Sequence, residues 1–244
     1  MPTFDAVGAG AQAQTGATSA SWSHTVASGA VLWVAVIFDD LADHDPTATW
    51  NTSESMGTPI IDLYGYESET PRVICVWRLN NPTATTANVA ISWTTAAGYA
   101  ANSISLTEVN GTTPNDAPVA AIFGIENTGD PTGPTVAGET GDLIVGFCGI
   151  NQPTGTYPTI TTAGGTDRAL TTNAQIALRI STVPSAASVA LAWSQNESWE
   201  DWSAVGFNVN AGAAPAGDEF NPIPIPQPLP GALGVYRSIR GRIG

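Results

Sequence analysis

Nine consecutive apolar residues, Ala30 to Phe38, limit how this chain can fold. A Ser-Gly pair precedes the run, and Asp39-Asp40 closes it. Nine residues are too few for a membrane-spanning helix, which needs about 20. Four of the nine are β-branched, and turn or polar residues flank the run on both sides. We therefore expect a central strand with both faces buried.

The composition is that of a turn-rich sheet protein with little charge. Charged residues make up 11% of the chain, there are 25 Gly and 18 Pro, and no Lys occurs. A formal net charge of −14 argues against nucleic acid or an anionic membrane as a partner, because phosphates would be repelled. Residues 1–5 do not begin a signal-peptide pattern, so we expect synthesis in the cytoplasm.

Short apolar segments separated by Gly, Pro and Asn recur along the chain, as in an all-β sandwich or barrel. We predict strands near residues 3–8, 19–26, 30–38, 46–51, 58–64, 72–79, 87–94, 101–109, 118–125, 133–137, 142–150, 156–162, 168–181, 187–194 and 202–210. Almost nothing in the sequence favours helix.

Two series of strands match each other at an offset of one hundred residues. The matched segments are 88–94 with 188–194 and 103–110 with 203–210. The first pair brings Trp93 and Trp193 into register. Asp142–Ile150 also resembles the apolar run Ala30–Phe38, and a Thr-Val-Ala segment precedes each of them. A shared offset across separate strands favours duplication over chance similarity.

We therefore predict a jelly-roll-like β-sandwich domain over residues 1–212, built from two related halves at about 19–110 and 119–210. One sandwich of two facing sheets is favoured, because the strands at 30–38 and 142–150 need cover on both faces. Two small sandwiches in tandem are the alternative.

The cysteines and histidines do not form a recognisable metal or redox motif. Cys75 and Cys148 each lie inside an apolar segment, and we expect free, buried thiols; a disulfide across the sandwich is the alternative. His24 alternates with Trp22 on one strand face and is interpreted as structural. With His44 as the one other histidine, a zinc site is not expected.

A loop after the apolar run holds the four carboxylates of Asp39, Asp40, Asp43 and Asp45. Closely spaced carboxylates can coordinate Ca²⁺, but the spacing does not match an EF-hand loop. A solvated acidic loop is the favoured interpretation, and these four residues remain a weaker metal candidate. We expect no cofactor.

Trp residues beside carboxylates are candidates for stacking on a sugar ring. The candidate glycan-binding residues are Trp50, Trp199, Trp202 and Glu200. The same carboxylates suggest a glycosidase as a further hypothesis, but no spacing identifies an acid and a nucleophile. Nucleophile-elbow and phosphate-loop motifs do not occur either, so we do not expect an enzyme.

Residues 213–244 differ from the rest and form a predicted extended tail. Alternating prolines from 222 to 230 exclude helix and hold an extended form that spans about 28 Å at ~3.1 Å per residue. Three of the seven Arg follow in the last eleven residues, so we expect a basic tip that docks on another protein. The predicted docking residues are Pro222, Ile223, Pro224, Ile225, Leu229, Tyr236, Arg237, Ile239, Arg240 and Arg242.

Several of these motifs resemble the sandwich domains of tailed phages. They are the apolar strand after Ser28-Gly29, the Arg-Leu-Asn-Asn-Pro segment ending at Pro82, the Thr140-Gly-Asp-Leu-Ile-Val segment, and the closing stretch from Trp193 to Phe207. The chain is similar in these features to minor tail and capsid-decorating proteins, particularly of phages that infect actinobacteria. Such domains look like jelly-roll or concanavalin-like modules.

The resemblance covers most of residues 19–210, and its motifs are structural rather than catalytic. It implies a virion component, made in the host cytoplasm, that contacts other virion proteins, and it transfers no functional residue. We also expect a homo-oligomer, as is common for virion proteins. Binding to host-surface glycans is the alternative function.

Overall fold

The chain is all-β in a computed structural model that describes residues 1–40, 42–63, 74–123, 130–151, 160–162, 164–195 and 201–212. These residues belong to one unit, Met1–Ala213, and no helix occurs among them. Consequently no helix of the described chain has the length and hydrophobicity of a membrane span. The all-β sandwich class is confirmed. The predicted tail, with its docking residues between Pro222 and Arg242, lies outside the described residues.

The described residues form sixteen strands, most of them where the alternating and unbroken apolar segments predict. They are β1 (Thr3–Val7), β2 (Ala11–Thr25), β3 (Val31–Phe38), β4 (Thr47–Trp50), β5 (Glu54–Ser55), β6 (Ile61–Leu63), β7 (Ile74–Asn80), β8 (Thr86–Thr107), β9 (Val119–Phe123), β10 (Thr132–Val136), β11 (Leu143–Asn151), β12 (Ile160–Thr162), β13 (Thr166–Thr172), β14 (Ile176–Pro184), β15 (Val189–Gln195) and β16 (Asp201–Val209).

The N-terminal half is one antiparallel sheet of eight strands, in which the long strand β8 pairs with β1, β2, β3 and β4. The first part of β8 pairs with β4 and the second part of β2, and the last part of β8 pairs with β3 and β1. Register shifts in β2 between Ala13 and Ser19 mark irregular positions of the kind at which strands bend. The sheet thus covers two sides of an N-terminal core that includes Leu32, Trp50 and Trp77.

The C-terminal half consists of two antiparallel sheets. The larger has the order β13-β14-β11-β16-β9, and the smaller has the order β10-β15-β12. Between them lies a C-terminal core that includes Ile144, Cys148, Leu191, Trp193 and Trp202.

The two halves meet face to face across a third, central core. In β3, Leu32 points into the N-terminal core while Trp33 and Ile37 point into the central core. In β11, Ile144 points into the C-terminal core and Phe147 points into the central core. Both strands therefore bury both faces, as their unbroken apolar runs predict. The structure combines the two predicted arrangements: each half has its own core, and their inner sheets face each other.

The strand order around the two central strands is the same in both halves, β7-β3-β8 and β14-β11-β16. Trp93 and Trp193 each enter the core of their own half. Val31 and Leu143 are the first residues of β3 and β11, and they lie opposite Leu106 and Val209, respectively. When β3 and β11 are superimposed on these first residues, the strands opposite them match at an offset of 103 residues, which is three more than the sequence match of 103–110 with 203–210. Duplication itself stays a prediction.

Candidate functional site

Two of the tryptophans predicted to bind glycans are buried. Trp50 is fully buried, and its Nε1 donates a hydrogen bond to the carbonyl oxygen of Thr83 at 3.1 Å. Trp202 is only 2% exposed and belongs to the C-terminal core. A ring must be exposed to stack on a sugar, so burial contradicts the role predicted for these two residues. Trp199 and Glu200 lie outside the described residues, and their role stays a prediction.

The acidic loop after β3 is held together by its own carboxylates. Asp39 Oδ1 accepts a hydrogen bond from the Gly98 amide at 2.8 Å, and Asp43 Oδ1 accepts one from the Asp45 amide at 3.0 Å. Asp40 Oδ1 lies 2.6 Å from Nε2 of the buried His44. In the described residues, no group of three or more acids, histidines or cysteines has a geometry that could hold a metal ion. The solvated acidic loop and the weaker metal candidate both stay predictions.

His24 lies at the centre of a buried polar network between β1, β2 and β8. Its Nδ1 lies 2.8 Å from Ser103 Oγ, and its Nε2 lies 3.0 Å from Ser105 Oγ. At one end, Trp22 Nε1 donates to Ser103 Oγ at 2.9 Å; at the other, Ser105 Oγ donates to Asp5 Oδ2 at 2.7 Å. The histidine and both serines are at most 2% exposed.

Counting donors and acceptors assigns every proton in this network. The Asp5 carboxylate takes the single hydroxyl hydrogen of Ser105, so Ser105 Oγ can only accept from His24 Nε2–H. A neutral ring then leaves Nδ1 as an acceptor, which receives the hydroxyl hydrogen of Ser103. The hydrogen bonds run in one direction, from the Trp22 indole to the Asp5 carboxylate.

The environment keeps the His24 ring neutral. Burial lowers the pKa of His24 from 6.5 to about 4, and the negative charge of Asp5 opposes this shift without cancelling it. His44 has different surroundings, because the Thr95 carbonyl and the Asp40 carboxylate that flank its ring are both acceptors.

The network contains Ser, His and Asp but does not form a catalytic triad. In a triad the carboxylate orients the histidine directly and the serine oxygen faces substrate. Here Asp5 contacts Ser105 instead of His24, and both serines are fully buried. The arrangement satisfies buried polar groups and leaves no reacting atom accessible to a substrate.

Both cysteines are buried thiols outside any disulfide, as expected, and they enter different cores. Burial raises the pKa of the Cys75 thiol far above its usual range, with a further contribution from its hydrogen bond to Asp62 Oδ1 at 3.1 Å. A thiol that stays protonated is a poor nucleophile. Cys75 therefore behaves as a small core residue.

A polar groove of about 300 Å³ lies where β16 ends near the segment that joins the halves. The buried side-chain amide of Asn208 points its Nδ2 at Asp142 Oδ2, at 2.8 Å, and at Asp116 Oδ2, at 3.3 Å. Ser185 Oγ donates to Asn208 Oδ1 at 2.7 Å. The amide thus lies between the two carboxylates and cross-links three loops.

Two other surface grooves are formed by β4 and its neighbours. One, of about 360 Å³, is lined by hydroxyl groups from Ser19, Ser21, Thr47 and Ser92 and by no charged residue. The other, of about 520 Å³, includes Asp45 and Asp62 among Pro and Thr residues. No residue of the His24 network lines any of these three grooves. Asp62 of the second groove also accepts the hydrogen bond from the buried Cys75 thiol.

His24 was predicted to be structural, but its hydrogen-bond partners were not predicted. Ser103 and Ser105 alternate with Ile104 and Leu106 in the last part of β8, which is a polar face opposite an apolar one. That alternation is a signal in the sequence. Asp5 carries no comparable signal, because its role depends on the pairing of β1 with β8.

The chain matches no protein family model and no curated protein. It is weakly similar to a solved structure, the crystal structure of plant peptide RALF23 in complex with FER and LLG2. The identity is 9%, the TM-score is 0.25, and the alignment covers 80% of this chain and 82% of the other. Similarity at this level carries no argument about fold or function.

Proposed function

We propose that this protein is a non-enzymatic structural component of a phage virion, a minor tail or capsid-decorating protein that docks on neighbouring virion proteins through its C-terminal tail. The observation that carries this proposal is the burial of the reactive side chains. His24, Ser103 and Cys75 are buried and hydrogen-bonded inside the sandwich. A body built in this way supports a rigid scaffold role, and the resemblance to tailed-phage proteins supports the virion as its location.

The composition of the tail supports docking. Alternating prolines from 222 to 230 limit the conformations that must be given up on binding, which reduces the entropic cost of docking. Arg237, Arg240 and Arg242 give the tip a positive charge in a chain whose net charge is −14. Such a tip is attracted to acidic surfaces, including those of sister copies.

Deletion of residues 222–244 tests the docking role. We expect the full chain to form oligomers in sedimentation velocity and to co-sediment with particles of the phage that encodes it. The truncated chain should lose both properties while keeping its circular dichroism and its urea midpoint, because the deletion begins beyond β16.

A matched control keeps the length and the prolines and replaces Arg237, Arg240 and Arg242 with Gln. If charge guides docking, this variant should bind more weakly than the full chain and respond less to salt. Full occupancy of particles by the truncated chain would show that the tail does not dock. Absence of the protein from purified particles by mass spectrometry would contradict the virion role itself.

A further inference from the structure

The first strand, β1, is held to the sandwich largely by polar contacts. None of its five side chains is fully buried, and only Phe4 packs against a core. Asp5 Oδ2 accepts hydrogen bonds from Ser105 Oγ at 2.7 Å and from the backbone amide of Ala27 at 3.0 Å. This single carboxylate therefore joins β1 to β8 and to the turn between β2 and β3.

The link from β1 to β2 lies against the same network. The Gly8 amide donates to the Ser103 carbonyl at 2.9 Å, and the Ala9 amide donates to the Ser23 carbonyl at 3.0 Å. A Cβ atom at position 8 would overlap Ser103 Oγ and crowd the Trp22 indole. The backbone at Gly8 thus covers the buried end of the network and separates it from water.

A second proton on His24 does not fit the closed arrangement. Nδ1–H would point at Ser103 Oγ, whose own hydrogen occupies that bond and whose other side accepts from Trp22 Nε1. Ser103 would have to turn its hydroxyl away and lose its acceptor in a fully buried position.

The groups that face His24 give the added charge little compensation. β8 presents the hydroxyls of Ser103 and Ser105, β2 presents the Trp22 indole, and β4 presents Trp50, whose ring centroid is 6.2 Å away. The charged group that faces the network is Asp5 on β1, and it contacts the ring only through Ser105. Movement of β1 would let water reach the charged ring.

We propose that the Trp22–Ser103–His24–Ser105–Asp5 network is an acid-sensitive latch, which holds β1 and the β2–β3 turn against β8 at neutral pH and releases them when His24 is protonated. In the closed state burial keeps the pKa of His24 at about 4, whereas an open state returns it towards 6.5. The open state therefore binds more protons between these values, and falling pH favours opening until the closed state is protonated too.

Amide hydrogen exchange of the full chain, corrected for intrinsic exchange rates, tests the latch. Within this window the opening equilibrium changes by up to tenfold per pH unit and by less near each pKa, so protection at the Gly8 and Ala27 amides should fall by up to about 40-fold between about pH 6.5 and pH 4.5. The Phe147 amide in the central strand β11 serves as the internal reference, and its protection from exchange should fall less. Unchanged protection at Gly8 and Ala27, or an equal fall at all three amides, would overturn the proposal.

Two variants and one spectroscopic measurement complete the test. His24→Gln should lose the selective pH dependence at Gly8 and Ala27, and His44→Gln should keep it. If His24→Gln does not fold, the ¹⁵N chemical shifts of the His24 ring in the unmodified protein report its tautomer and its protonation directly. We expect the Nε2–H tautomer at about pH 6.5 and titration well below 6.5; a titration midpoint at the ordinary histidine value would overturn the latch.

Discussion

At the scale of the residue, the buried tryptophans differ in whether the indole N–H has an acceptor. Trp50 donates to the Thr83 carbonyl at 3.1 Å and Trp93 donates to the Ala17 carbonyl at 2.9 Å. Trp33 Nε1 and Trp77 Nε1 are buried without an acceptor in the described part of the chain. A buried, unsatisfied donor costs roughly 1–3 kcal/mol. These two residues therefore contribute shape and apolar area to their cores at the expense of a lost hydrogen bond.

We expect Trp33→Phe to destabilise the protein less than Trp50→Phe. Both rings are fully buried, so the two substitutions remove a similar volume from a core. Trp50→Phe also leaves the Thr83 carbonyl without its hydrogen-bond donor. Trp33→Phe instead removes an indole N–H that has no acceptor. The difference in the free energy of unfolding should be about 1–2 kcal/mol. Urea denaturation of both variants measures it, and an equal or larger loss for Trp33→Phe would contradict the hydrogen-bond assignment.

At the scale of the element, the central core depends on the close approach of β3 and β11. Gly149 of β11 faces Ile37 of β3, and a Cβ atom at position 149 would overlap the Ile37 Cδ1 methyl. Ile37 is fully buried, so its side chain has little room to move. The glycine is therefore required by packing between the two halves.

Gly149→Ala should destabilise the protein by about 1–3 kcal/mol through overpacking. Ile37→Val removes the methyl group that clashes, so the double variant should recover part of the loss. A double-mutant cycle from urea unfolding gives the coupling between the two sites. Strictly additive effects would mean that β3 and β11 do not approach each other at this point.

Most strands were predictable because apolar segments and turn residues alternate regularly, but some were not. The strands predicted at 87–94 and 101–109 are parts of one strand, β8, and the short strand β5 was not predicted. The predicted strand 168–181 is two strands, β13 and β14, joined without Gly or Pro. Asn173 makes the turn, because its Oδ1 accepts hydrogen bonds from the amides of Gln175 and Ile176 at 2.8 and 2.9 Å. The first part of β2 is Ala- and Gln-rich and partly exposed, so it has no apolar alternation to detect.

At the scale of the whole molecule, the excess of acidic over basic residues is the main electrostatic feature. The chain has 21 acidic and 7 basic residues. Among the described residues, Arg179 pairs with Asp167 at 3.6 Å, and Asp40 lies 2.6 Å from the His44 ring. Because acidic residues outnumber basic ones threefold, salt has net repulsion to screen.

We expect the thermal midpoint to rise by a few degrees when NaCl is increased from about 0.02 M to about 0.3 M. KCl should act equally, because screening depends on ionic strength rather than on the cation. CaCl₂ at matched ionic strength should give no additional rise. An additional rise with Ca²⁺ would instead support a cation site at the acidic residues 39–45, and a falling midpoint in NaCl would contradict net repulsion.

The sequence alone determined the all-β class, the buried central strands β3 and β11, and the burial of both cysteines. These follow from local pattern, since an unbroken apolar run needs cover on both faces wherever the partner strands come from. The tertiary structure alone decided which polar side chains meet. Asp5, His24 and Ser103 are far apart in sequence and come together only through the pairing of β1 and β2 with β8. Strand register likewise decided that Trp50 and Trp202 face a core, because side chains alternate faces and a shift of one residue would have exposed them.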